Sequence, residues 1–437
     1  MNRLFWRQSL IRFALWAHVA GIVGFYATLW RRTYPDVKDR VRKLPLKKFL
    51  LNTMDVSEPT VSIIVPARNE EQNIGRCVIS LLEQDYEQFE VIAVDDGSTD
   101  NTGKILDELA HKHPQGHRLW VLRLRDELPA GWAGKPHAIH RGVQEAQGDW
   151  LLFTDADTWH APNALRSSIT QAIEEGDDLF TVGAEQELHT FWERVLMPVA
   201  YMGISMLYPP RLVNNPKSHV AVANGQYILI RKEVYTITGG YGRPDLRGTL
   251  LDDRDLAHVV KETGFKLHFV DGQDLVHVHM YNGFFDTWRG WRKNAYLGNR
   301  GGLLFILIQL IGLPMVGISP FLLPLLALFR RKRVINQGTT KGEVINHGTT
   351  NKGSKGTLSS SEIGIATMLE LTMLLLYRIW LNRSLRDPWY YSFTHPLAAA
   401  VFTGILGQSS WRVLTHKGVD WRGRVYHDKV VRAKVPV

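Results

Sequence analysis

Residues 149–158 read DWLLFTDADT, so the apolar run 151–153 delivers Asp155 and Asp157 to its C-terminal end with Ala156 between them. In an open α/β sheet, ligands bind at that end of a strand, and two carboxylates there suit a divalent cation carrying a phosphate on its far side. An Asx turn, or the cap of a helix opening near Pro162, would use the same residue types. Two further acidic pairs bear on the choice. The stretch VDDGSTD (94–100) puts Asp95 and Asp96 at the end of another apolar run, where carboxylates can accept hydrogen bonds from a base N–H and from ribose hydroxyls. Asp-Gly also marks ordinary turns. The stretch LLDDRDLA (250–257) sets Asp252 and Asp253 just ahead of a helical pattern. A helix N-terminus favours Asp electrostatically, and a carboxylate held there can also take the proton from an attacking hydroxyl. A base must be metal-free and metal ligands must be charged, so this chemistry needs two separate acidic sites.

The elements that must position these residues follow a regular alternation. Apolar strand-like runs at 61–65, 89–94, 119–124, 150–153 and 221–230 are interleaved with helical patterns at 70–83, 102–111, 136–146 and 253–263. In the first helix Ile74, Val78, Leu81 and Leu82 recur at helical spacing. The βαβ order predicts a largely parallel, doubly wound α/β sheet whose C-terminal edge gathers Asp95 and Asp96 with Asp155 and Asp157.

Charge and hydropathy place this domain beside a membrane. Residues 1–50 contain eleven Lys or Arg against Asp36 and Asp39, which accounts for the whole net charge of +9. The remainder is balanced, which excludes a general nucleic-acid binder. Segments 13–30 and 301–329 carry no charged side chain; 363–381 carries Glu370 and Arg378, and 396–411 is shorter and rich in small residues. A spanning helix needs roughly 20 apolar residues, so the expectation is an integral, multi-pass membrane protein. The basic stretch after the first helix predicts a catalytic domain on the cytoplasmic face, against anionic membrane lipids. Crossing once at 301–329 would put the basic run 330–333 outside, against that bias. Gly312, Pro314, Gly317, Pro320 and Pro324 could instead break the segment into a re-entrant pair. The expected organisation is a membrane helix and basic linker (1–50), the α/β domain (51–300), a membrane segment (301–333), a flexible insert (334–360) and two further helices with a basic tail (361–437). The insert contains the near duplication VINQGTTKGE and VINHGTTNKG, which has no core-forming pattern. The single cysteine, Cys77, excludes an intrachain disulfide. His277 and His279 alternate on a strand-like HVH with no third ligand nearby in sequence, which favours structural roles.

Taken together, VPARNE, VDDGSTD, DAD and LDDRDLA resemble glycosyltransferase family 2 over residues 60–300. LPAGWAGK (128–135), MYNGFFDTWRGWRKN (280–294) and VDWRGRVY (419–426) are similar to its membrane-bound subgroup of hopene-associated and carotenoid, such as chlorobactene, glycosyltransferases. The resemblance implies a GT-A fold, a doubly wound mixed sheet with flanking N- and C-terminal transmembrane helices. It further implies that Pro66, Glu70, Asp95 and Asp96 hold the nucleotide of a UDP-linked or other nucleotide-sugar donor. Asp155 and Asp157 would form the D-x-D pair around Mg²⁺ or Mn²⁺, and Asp253 would be the base. Asn224, Gly225 and Gln226 match an acceptor-side strand. Lys135 is expected to touch the diphosphate, although a solvated loop lysine is the commoner case.

The chain departs from the family pattern in two places. Asp252 stands where Glu is usual, and the Q-x-x-R-W motif of processive synthases is replaced by Trp288, Trp291, Arg292 and Lys293. The second departure argues for single-sugar transfer, with these four residues closing the acceptor pocket or anchoring at the interface. The expected function is inverting transfer of one sugar to a hydroxyl of a lipophilic, carotenoid or hopanoid-like terpenoid acceptor. Transfer to a polyprenyl phosphate or another glycolipid is one alternative, and a catalytically silent nucleotide-binding membrane scaffold is another.

Overall fold

The computed structural model describes residues 2–33, 58–297, 302–325, 358–415, 419–421 and 424–426. They belong to two units: Met1–Arg31, Arg194–Gly203 and Gly301–Gln408 form one, and Arg32–Glu193, Ile204–Arg300 and Ser409–Val437 form the other.

The second unit contains strands β1 (Val61–Ala67), β2 (Phe89–Asp95), β3 (Leu119–Arg123), β4 (Trp150–Phe153), β5 (Thr158–His160), β6 (Leu179–Gly183), β7 (Glu185–Gln186), β8 (Ile228–Arg231), β9 (Leu267–Asp271) and β10 (Val276–Val278). A seven-stranded sheet runs in the order β3-β2-β1-β4-β8-β6-β9, and β5-β10-β7 make a smaller one. Alternate residues of the central strands feed two cores. Ile63 and Leu152 pack with Cys77, Val78 and Leu81 of the Ile74–Leu82 helix. Ile64, Leu151 and Phe153 pack with Ala138 and Ile139 of the Gly134–Glu145 helix and with Leu256 and Val260 of the Asp252–Glu262 helix. Burial on both faces is why these strands read as continuous apolar runs and not as an alternation.

Register decides where the chemistry gathers. β1 is parallel to β2 and β4, with Ala67 opposite Asp95 and Ile64 opposite Phe153. Their C-terminal ends therefore share one edge. β8 is antiparallel to both β4 and β6, and Ile228 pairs with Phe153, so the chain entering β8 arrives at that same edge. The sheet is mixed, as the family resemblance implied and as the βαβ rhythm alone did not. The strand expected over 221–230 is confined to Ile228–Arg231. Upstream the chain turns, with the Tyr227 N–H donating to Asn224 O at 2.9 Å, and this turn keeps 224–226 off the ladder. The helix expected from 70 starts at Ile74.

Among the described residues, two helices are long and apolar enough to cross a membrane, Ser9–Thr33 and Ser361–Ser384. The pair Leu304–Gly317 and Ser319–Leu325 meets at a bend of 47°, which suits either a broken span or a re-entrant loop. The fourth expected span is helical, His395–Leu414, but is not among the described helices that reach spanning length and apolarity. Glu370 and Arg378 are fully buried within the first unit, as charges on a spanning helix must be if they are to avoid lipid. The basic linker beyond Thr33, the run 330–333, the insert 334–357 and the tail beyond 426 lie outside the described residues.

Candidate active site

A pocket of about 300 Å³ opens at the shared strand edge. Pro66 and Ala67 bring the end of β1 to it, Asp96 follows β2, and Asp155 and Asp157 follow β4. Asn224, Gly225 and Gln226 lie on the approach to β8, and Asp252 and Asp253 open the Asp252–Glu262 helix. Lys135 comes from the first turn of the Gly134–Glu145 helix. With Met280, Tyr281, Lys293 and Asn294, residues from eight separated stretches of chain face one space.

Asp155 and Asp157 do not cap a helix. The turn they occupy runs straight into β5, and the following helix begins only at Ala164. A buried polar network behind the turn holds it. Thr158 Oγ1 donates to Asp155 O at 2.7 Å, Thr154 Oγ1 donates to Gln226 O at 2.8 Å, and His160 Nε2 lies 3.0 and 2.9 Å from the two hydroxyls. Burial pushes His160 down to about 3, so the ring is neutral. With both hydroxyl protons directed at carbonyls, Nε2 is the nitrogen that must carry hydrogen. The same network fixes the Asp155–Asp157 turn and the 224–226 segment together.

Asp253 is held differently. Asp253 Oδ2 accepts the Gly225 N–H at 3.1 Å and Oδ1 accepts its neighbour Arg254 N–H at 2.7 Å. Burial and the adjacent Asp252 raise Asp253 to about 6, outweighing Lys135 and the two N–H donors. A carboxylate in that range is ionised at neutral pH yet basic enough to accept a proton usefully. The Lys135 ammonium links the two sides, 2.6 Å from Asp155 Oδ1 and 3.2 Å from Asp252 Oδ2. Burial works against its charge, but Asp155, Asp252 and Asp253 together hold it protonated well above the ordinary lysine value.

The other expected residues divide. Glu70 lines the pocket and is buried, its backbone N–H donating to Thr102 Oγ1 at 2.8 Å. Asp95 ends β2, where its Oδ1 accepts the Ser98 N–H at 3.0 Å and shapes the DDGS turn. Lys293 reaches the pocket from the Phe284–Leu297 helix together with Asn294, and burial lowers it to about 8. Trp288, Trp291 and Arg292 share that helix but are not among the pocket's described lining residues; Trp288 packs against Phe284. Arg68 and Tyr281 line the pocket without having been singled out from sequence. Arg68 Nη1 donates to Asp96 O at 2.6 Å, and its place inside VPARNEE was the available signal. Tyr281 had none: a Cβ at Gly290 would overlap its ring, and this close approach seats the Phe284–Leu297 helix. His277 lies 3.9 Å from Glu185, His279 lies 3.7 Å from Glu193, and no three-ligand metal cluster occurs among the described residues.

A divalent cation nevertheless fits Asp155 and Asp157. The Asp155 carboxylate already carries a cation, the Lys135 ammonium, and Asp157 lines the same pocket. Mg²⁺-type ions are commonly held by one or two carboxylates, with water and substrate phosphates completing the shell.

Comparisons with known proteins bear on the family and the fold. The family described as Glycosyl transferase family 2 matches residues 62–237. A 4,4'-diaponeurosporenoate glycosyltransferase of Staphylococcus aureus (strain USA300) is 27% identical over 257 residues. That alignment covers 57% of this chain and 64% of the relative, so the chain spans less than two thirds of it. A mannosyltransferase from Pyrobaculum calidifontis, solved with GDP-Man and Mn²⁺, superposes with a TM-score of 0.50 at 18% identity, covering 90% of this chain and 98% of that one. The structural likeness speaks for the fold. Placed on a mixed sheet of GT-A type, with its acidic pairs at the binding edge, residues 62–237 are a glycosyl transferase family 2 domain.

Proposed function

We propose that the pocket transfers one sugar from a nucleotide-sugar donor, UDP-linked, to a hydroxyl of a lipophilic acceptor of carotenoid or hopanoid-like terpenoid type, with inversion. The observation that carries this reading is Asp253, a carboxylate raised to about 6, facing the pocket opposite the Asp155–Asp157 turn. Pro66, Glu70, Asp95 and Asp96 hold the nucleotide end, and Lys135 meets the diphosphate. The acceptor enters past Asn224, Gly225, Gln226 and Lys293, on the side of Trp288, Trp291 and Arg292. Its hydroxyl gives its proton to Asp253 as the oxygen attacks the anomeric carbon from the face opposite the leaving diphosphate; the bond to that diphosphate breaks as the new one forms. The transition state is oxocarbenium-like. Asp155 and Asp157 would hold Mg²⁺ or Mn²⁺, whose charge would stabilise the leaving diphosphate. The two long apolar helices support an integral membrane protein with membrane lipids as neighbours, and the basic residues between 31 and 48 support a domain on the cytoplasmic face. The test is mass spectrometry of lipids from cells with and without the protein. A hexose or deoxyhexose increment on an isoprenoid lipid supports the reading, and unchanged lipids alongside normal expression count against it.

Lys293 favours a second reading of the acceptor. A half-buried ammonium lining the pocket suits an anionic acceptor, either a carboxylate or a polyprenyl phosphate, and the Staphylococcus aureus relative is named for a carboxylate. Such an acceptor is already deprotonated at neutral pH and needs no base. Asp253→Asn would then leave much of the rate intact, which separates the two readings.

A further inference from the structure

Lys135 stands between two acidic centres that the proposed chemistry uses for different purposes. Its Nζ bridges Asp155 Oδ1 and Asp252 Oδ2 at 2.6 and 3.2 Å. Gly225 provides the space: a Cβ there would lie 2.9 Å from Nζ and 3.4 Å from Asp253 Oδ2. A lysine is a compact charge on a flexible stem, so it can change partners without any backbone movement.

We propose that Lys135 has two positions, bridging Asp155 and Asp252 before the donor binds and turning onto the diphosphate afterwards, so that donor binding removes the counter-charge of Asp252 and makes Asp253 a stronger base. This rests on the reading of the pocket as a sugar-nucleotide site. A divalent cation largely cancels the charge of a nucleotide diphosphate, so the arriving pair is close to neutral. The change felt at the base side is then the loss of the ammonium. The charged and titratable groups around Asp253 are Asp252, Lys135, Lys293, Asp155 and Tyr241. Asp252 raises Asp253 and Lys135 lowers it. With Lys135 gone the like-charge neighbour at 252 acts unopposed from its own helix turn, while Lys293 stays on another helix. The proton affinity of Asp253 must rise. The coupling makes the base strongest when the leaving group is in place, and it runs through one side chain.

Linkage provides a readout that needs no acceptor and no turnover. If nucleotide binding raises the pKa of Asp253, binding takes up protons near that pKa. The full chain in detergent is titrated calorimetrically with UDP and Mn²⁺ at about pH 6.5, in two buffers of different ionisation heat. A parallel GDP and Mn²⁺ titration covers the other base. The expected result is that wild type takes up a few tenths of a proton more than Asp253→Asn, and that Lys135→Gln abolishes this difference while still binding nucleotide more weakly. Equal proton uptake by wild type and Asp253→Asn, with nucleotide bound in both, overturns the coupling and leaves the donor site standing. Absence of binding by either nucleotide overturns the donor-site reading and the coupling with it. Equal uptake in the wild-type and Asp253→Asn pair overturns the proposal even if Lys135→Gln does not fold.

Discussion

Two pairs of aspartates face one pocket, and their surroundings differ in kind. Asp155 and Asp157 sit on a strand-exit turn whose backbone is tied from behind by Thr154, Thr158 and His160. Asp252 and Asp253 sit in the first turn of a helix, where fixed N–H dipoles favour negative charge. Lys135 touches one aspartate of each pair, Asp155 and Asp252. The helix-borne pair is crowded, and Asp253 is raised to about 6 although it accepts two backbone hydrogen bonds. The lesson is that position in the sheet brings four like residues together, while desolvation and like-charge proximity raise Asp253.

Breaking the base side should have the largest effect. Asp253→Asn is expected to lower transfer by on the order of 1,000-fold while nucleotide affinity, measured by calorimetry, stays near wild type. Breaking the metal side should instead act on binding: Asp157→Ala is expected to weaken metal-dependent nucleotide binding by at least about 10-fold. Equal affinity with and without Mn²⁺ in wild type would remove the distinction between the pairs. The contrast should also appear in the pH profile. Asp253 is active when deprotonated, so transfer should fall roughly 10-fold per pH unit on the acid side of its value near 6, and this limb should vanish in Asp253→Asn. Because burial raises Asp253, stability falls as pH rises from the ordinary carboxylate value to about 6, and the full penalty stands above that. Asp253→Asn should accordingly raise Tm by a few degrees at neutral pH, and a lowered Tm would contradict the burial argument. The smallest effect is expected from the support network. His160→Leu should weaken nucleotide binding a fewfold with little change in the maximal rate, and His160→Gln, which keeps a hydrogen-bonding nitrogen, should recover part of it.

Much of this was legible in the chain. The central strands were readable because both faces are buried and the runs are continuous, and Trp150–Phe153 has the bounds its apolar pattern indicates. The acidic pairs were readable because chemistry restricts the residue types. The irregular 221–227 stretch was not: it is apolar enough to look like a strand, and its turn at Asn224 depends on hydrogen bonds to Val182 and Thr181 of β6, distant in sequence. Tyr281 and Asn294 enter the pocket through packing of the Phe284–Leu297 helix, which no local pattern encodes.

The sequence by itself determined which residues can do chemistry, the α/β alternation and the apolar helices, because composition and periodicity are local properties of the chain. Only the tertiary structure decided that β8 runs against its neighbours, that Gly225 leaves room for Lys135, and that this one ammonium touches Asp155 and Asp252 together. Proton affinity and ion pairing depend on distances across the sheet edge, and strand register fixes those distances.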